Sequence, residues 1–213
     1  MRYYYPKYYD ENIIKNRVKD QKQNLVVNSY GGSGTNWLRK NFSEKYNITS
    51  DIWKEKLCHY IRPINDLPLK FGIYIYGDPL RASISELRRR NKNISFFQMN
   101  FYKMMPVEYK NLKYNYPLMM QKMIEQMNNW KNADVNYPVI LIKYEKIGEH
   151  IAEIENLLGL KFKIPFKERK TDQKLINYYV KKYNLTRFNN SIKNTRETYN
   201  NMPDFQVIYP KNK

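Results

Sequence analysis

One cysteine, Cys58, is all this chain carries, so no internal disulfide can staple it and no thiolate cluster can hold zinc. A reducing environment is the expectation. Acidic residues are scarce beside basic ones, 20 Asp and Glu against 38 Lys and Arg, for a net charge of +18. No long uncharged apolar run is present, so no membrane span is expected. The first residues, Met1-Arg2-Tyr3-Tyr4-Tyr5-Pro6, have no apolar signal core. The expectation is a soluble, cytoplasmic chain. Glycines number only seven, yet three of them, Gly31, Gly32 and Gly34, crowd into four positions.

What is present suffices for folding. Hydrophobic residues make up 42% of the 213, enough for one domain with a sizeable core and against a disordered tail. The positive field favours anionic partners such as nucleotides, nucleic acid, and sulfated or phosphorylated sugars. The abundance of Lys, Asn, Ile and Tyr also fits an AT-rich coding sequence, so the charge is as much compositional as a shaped patch. There is no internal repeat and no Gly/Ser linker. Residues 1–23 read as a charged, tyrosine-rich arm or short helix ahead of a domain spanning 24–213.

The apolar stretches alternate between strand and helix. Strands are expected at Leu25 to Asn28, Phe71 to Tyr76 and Pro138 to Lys143, with a short one at Glu55 to Ile61. Helices are expected at Asn36 to Tyr46, at 79–90, and at Pro117 to Lys131. Others are expected at Glu149 to Leu158, closed by Gly159, and at Leu175 to Tyr183. Asp78 suits the cap of the 79–90 helix and Pro79 its first turn. This order predicts an α/β domain with a mostly parallel central sheet flanked by helices. Ligands in such sheets bind at the carboxyl ends of the strands.

The glycine turn lies at such an end. Leu25-Val26-Val27-Asn28-Ser29-Tyr30-Gly31-Gly32-Ser33-Gly34-Thr35-Asn36-Trp37-Leu38 runs from a strand through the turn into a helix starting at Thr35. Backbone N–H groups and a helix N-terminus then converge on one point, which makes an anion site. No Gly-Lys-Ser/Thr closes the turn, so it is not a Walker A loop.

The segment resembles the 5′-phosphosulfate loop of the sulfotransferase family, a P-loop-type fold, through Tyr30, Ser33, Gly34, Thr35 and Trp37. Gly31 and Gly32 stand where that family has Pro and Lys, and Asn36 where it has Thr. Phe71 to Ser85 resembles the family's second strand and the helix after it, with Asp78, Pro79 and Ser85 matching and Gly77 replacing an Arg. Val139-Ile140-Leu141-Ile142-Lys143-Tyr144-Glu145 resembles its late strand. The likeness covers roughly Asn24 to Asn190.

The resemblance implies a protein using 3′-phosphoadenosine-5′-phosphosulfate (PAPS) as donor, without a metal. Gly31, Gly32, Ser33, Gly34, Thr35 and Asn36 would cradle the 5′-phosphosulfate. Trp37 and Tyr144 would flank adenine. Ser85, with Arg81, would hold the 3′-phosphate, and Arg169 and Lys170 fall near a further basic contact. His59 would be the general base, a role that suits an imidazole titrating near neutrality. Arg88, Arg89 and Arg90 read as a solvated helix face, and His150 as surface. With no lysine at Gly32, charge on the leaving oxygen would need another cation, and Arg39, Arg62 and Lys143 are the candidates. The aromatic and methionine-rich segment from Phe96 to Met120 would be an acceptor lid or packing. The acceptor would be a hydroxyl or amine on a glycan, small molecule or protein. Two alternatives accompany this reading: a catalytically weak or inactive nucleotide-binding protein on the same fold, and a basic nucleic-acid-binding protein.

Overall fold

The computed structural model describes residues 11–20, 22–30, 35–42, 45–46, 60–89, 112–168 and 172–211. The first element is helix α1 (Glu11–Asp20), followed by strand β1 (Leu25–Asn28) and helix α2 (Thr35–Phe42). Strand β2 (Phe71–Tyr76) leads into α3 (Pro79–Arg89), and α4 (Leu112–Lys131) precedes β3 (Val139–Lys143). A 3₁₀ turn at Tyr144–Glu149 joins β3 to α5 (Ile151–Leu158). Then come α6 (Gln173–Lys182), a second 3₁₀ turn (Leu185–Phe188), α7 (Asn189–Asn200) and β4 (Phe205–Ile208).

The four strands form one sheet in the order β1-β2-β3-β4. β1, β2 and β3 run parallel, in register from Leu25↔Phe71 and Gly72↔Val139, while β4 returns antiparallel to β3 from Val139↔Ile208. The class is α/β with a mostly parallel sheet. Alternation along the strands sorts their side chains onto two faces. Val26, Tyr74, Tyr76, Val139 and Leu141 meet the methionines and Trp130 of α4, with Ile176 and Tyr179 of α6. Leu25, Val27, Ile73, Ile75, Ile140 and Ile142 meet Leu38 and Phe42 of α2 and Ile154 and Leu158 of α5. A parallel sheet covered on both faces explains why the strands read as unbroken apolar runs.

Several boundaries differ from the sequence reading. α2 stops at Phe42, whose carbonyl takes the amides of both Lys45 (3.1 Å) and Tyr46 (2.9 Å). α4 starts at Leu112, which leaves Pro117 inside it rather than at its first position. Proline forfeits one backbone bond there, but Tyr116, Met119, Met120 and Met123 are buried and hold the helix onto the sheet. Tyr144–Glu149 is 3₁₀, so the next helix begins at Ile151, and Gly159 closes it in the left-handed conformation at φ 57°. The sequence reading had no counterpart for α7 or β4. Within residues 1–23, α1 is fastened by the fully buried Val18. Of the strand expected over Glu55 to Ile61, residues 55–59 lie outside the described residues, and Tyr60 and Ile61 are not in a strand. Tyr60 is held instead by Asn28, whose side chain accepts from its amide at 2.8 Å and donates to its carbonyl at 2.9 Å. Among the described residues no helix is long and apolar enough to cross a membrane.

Candidate functional site

The carboxyl ends of β1, β2 and β3 open on one edge of the sheet. β1 runs on into Ser29 and Tyr30, both fully buried. Tyr30 donates its hydroxyl to the carbonyl of Gly77, tying the exit of β1 to that of β2. Burial pushes the Tyr30 phenol well above its ordinary range, so it stays a protonated donor.

Asp78 anchors the same edge. Its Oδ1 accepts from the amide of Arg81 at 2.9 Å, capping α3. Its Oδ2 accepts from Arg196 Nε at 2.7 Å, and its own amide donates to Glu145 Oε1 at 3.0 Å. Glu145 Oε2 accepts from the Tyr199 hydroxyl at 2.9 Å. Burial first, and the Glu145 carboxylate second, raise the Tyr199 phenol far above its usual range. Beside this cluster Lys143 Nζ pairs with Asp204 at 2.9 Å, and Lys143 holds the Asp204 carboxyl below its ordinary value. Among the described residues no group of three or more His, Cys, Asp or Glu could hold a metal ion.

Thr35 begins α2 and is half-buried, and Ser85 is half-buried on α3, two turns beyond its cap. Arg81 is half-buried in the first turn of α3. Trp37 donates Nε1 to the carbonyls of Ile164 (2.9 Å) and Pro165 (3.1 Å). Its ring lies edge-on to Phe162 and Phe166, each 5.0 Å away between centroids. Tyr144 meets the same Phe166 edge-on at 5.6 Å. The two aromatics named from the sequence are therefore neighbours through one phenylalanine. Asn41 fixes that loop by accepting from the Ile164 amide at 2.8 Å.

Gly31, Gly32, Ser33, Gly34, His59, Arg90, Arg169 and Lys170 lie outside the described residues, as do the side chains of Asn36, Arg88 and Arg89 and most of the Phe96 to Met120 segment. His150, read as surface, stacks on Phe205 at 4.9 Å and shares a hydrogen bond with Glu153 at 2.6 Å. Sequence reasoning passed over Arg196 and Tyr199 because they sit on a polar helix that carries no motif. Glu145 was legible only as part of the Tyr-Glu pair after β3.

No protein family model, curated protein or solved structure matches this chain.

Proposed function

We propose that this chain binds an adenine nucleotide at the carboxyl ends of β1 and β2 and transfers a sulfuryl group from PAPS to a hydroxyl or amine acceptor. The observation that carries the reading is the parallel pairing of β1 with β2. It sets two strand-to-helix turns side by side, so the N-termini of α2 and α3 share one edge. Each N-terminus carries a partial positive charge and unpaired amides suited to an anionic oxygen. A nucleotide with phosphate groups at both ribose ends needs two such positions.

In this reading the amides of the Gly31–Gly34 turn and the Thr35 hydroxyl hold the 5′ group. Ser85 donates to the 3′-phosphate, and Trp37 and Tyr144 bracket the purine. The donor supplies an activated sulfuryl group. An S–O bond to the acceptor forms as the S–O bond to the nucleotide phosphate breaks, and His59 takes the acceptor's proton.

A second reading, nucleotide binding without transfer, has its own support. A Cβ at Gly77, where the family has Arg, would stand 3.4 Å from Glu145 Oε1, so that position adjoins a carboxylate and not a cation.

Calorimetric titration with adenosine 3′,5′-bisphosphate tests both. Saturable one-to-one binding is expected, weakened about tenfold or more by Ser85→Ala through loss of one hydrogen bond to a charged group. No heat with the parent chain defeats both readings. Binding without transfer from labelled PAPS to sugars, phenols or amines selects the second. A steep fall of nucleic-acid binding with salt, with no bisphosphate heat, would instead point to a polyanion binder.

A further inference from the structure

Three cations were named from the sequence as replacements for the lysine missing at Gly32, and the structure separates them. Arg62 donates to Glu11 from Nε at 3.1 Å and from Nη2 at 2.5 Å. Lys143 pairs with Asp204 at 2.9 Å and lies over the Tyr199 ring. Both charges are already met by carboxylates.

Arg39 is different. It is only 6% exposed. Its Nη2 reaches the carbonyl of Val27 at 3.4 Å, a long contact to a neutral acceptor. Its Nε is buried with no hydrogen-bond partner. Among the described residues no carboxylate pairs with it. A guanidinium does not give up its proton inside a protein, so this is a buried full charge. Buried charges are found with a counter-ion because desolvation is otherwise uncompensated.

The position of Arg39 says where the counter-ion belongs. It follows Thr35 by four residues on α2 and so shares its face. Side chains on a helix lean toward its N-terminus, which carries Arg39 back toward Thr35. Val27, its one polar contact, is the third residue of β1. The guanidinium thus lies between the end of β1 and the first turn of α2, beneath the strand-to-helix turn. The partial positive charge of the α2 N-terminus adds to that of Arg39 instead of offsetting it. A planar fork of donors matches a tetrahedral oxyanion.

We propose that Arg39 is the buried counter-charge for a phosphoryl or sulfuryl oxyanion bound at the N-terminus of α2. The proposal deepens the functional reading above and rests on it for the nucleotide, but the oxyanion itself follows from the unpaired charge.

The test uses the full chain and the variants Arg39→Met, similar in reach and uncharged, and Arg39→Lys. Thermal unfolding is followed at low salt with and without inorganic pyrophosphate, and adenosine 3′,5′-bisphosphate is titrated by calorimetry. Without anion, Arg39→Met is expected to unfold at or above the parent temperature, because an uncompensated charge has been removed. Pyrophosphate should raise the unfolding temperature of the parent, and more weakly that of Arg39→Lys, but leave Arg39→Met unmoved. The dissociation constant for the bisphosphate should rise about tenfold to a hundredfold in Arg39→Met.

An Arg39→Met chain that unfolds well below the parent, or fails to fold, makes the arginine structural and overturns the proposal. So does a parent that responds to neither anion. Equal bisphosphate affinity in parent and Arg39→Met overturns it while leaving the nucleotide reading standing. A parent that binds pyrophosphate as well as bisphosphate, with both lost in Arg39→Met, upholds Arg39 and defeats the adenine reading.

Discussion

Gly72, in the middle of the sheet, shows how a missing side chain shapes the core. A Cβ built there would stand 2.8 Å from Cε2 of Tyr137, closer than such atoms approach. The tyrosine cannot swing away cheaply, because its hydroxyl donates to the carbonyl of Ile64 at 2.9 Å. Trp130 closes the other side, stacked on Tyr74 at 5.1 Å. Gly72→Ala is therefore expected to destabilise the fold by about 1–3 kcal/mol, the usual range for overpacking. Urea denaturation would show a lower midpoint with an unchanged slope. At the same scale Trp37, Tyr144 and Ser85 were legible because each sits in a motif beside a strand end. Arg39 was legible only as one cation among three, since a one-dimensional reading cannot tell which charges find carboxylates.

At the scale of elements, the start of α3 follows from local chemistry alone. Asp78 accepts from the Arg81 amide, and Pro79 has no amide to leave unpaired. Asp78→Ala should cost about 0.5–2 kcal/mol through the lost cap. Asp78→Asn keeps a capping oxygen and should lose only the pair with Arg196. That pair should be worth about 0.2–1 kcal/mol, because Arg196 is 49% exposed and water screens it. A double-mutant cycle over Asp78 and Arg196, read by thermal unfolding, measures the term; zero coupling would show that the pair adds nothing beyond the cap. α7 escaped the sequence reading because its inward face is spaced like a helix but carries the buried Thr195 between Ile192 and Tyr199. A threonine in that stripe breaks the apolar period on which such readings depend.

Over the whole molecule, the chain beyond α7 locks the carboxyl edge of the sheet. Tyr76 donates its hydroxyl to the carbonyl of Pro203, and the Lys143 amide donates to that of Asp204 at 3.0 Å. Lys131 Nζ reaches the carbonyl of Asn201 at 3.0 Å. The Lys143–Asp204 ion pair completes the closure and holds the Asp204 carboxyl below its ordinary value of 3.8. A carboxyl whose folded value is depressed adds stability above its unfolded value and loses it as pH falls through the folded one. Asp204→Asn should thus lower the unfolding temperature slightly at pH 7, with a difference that vanishes by about pH 3. The Asp204 side chain is 51% exposed, so the effect should stay within about 0.2–1 kcal/mol. A difference that persists at low pH would assign the loss to packing instead of charge.

Windows of a dozen residues were enough to establish three parallel strands, the α/β class, the cap of α3 and a glycine turn between a strand and a helix. Each of those follows from periodicity or from one residue's effect on its own backbone. Which charges meet was a matter for the folded chain. Asp78 and Arg196 are 118 positions apart, and Glu145 and Tyr199 are 54 apart. Only packing α7 against the sheet brings them together, and only packing α2 onto β1 buries Arg39 without a carboxylate, since pairing energies at that range depend on three-dimensional distance and water exclusion.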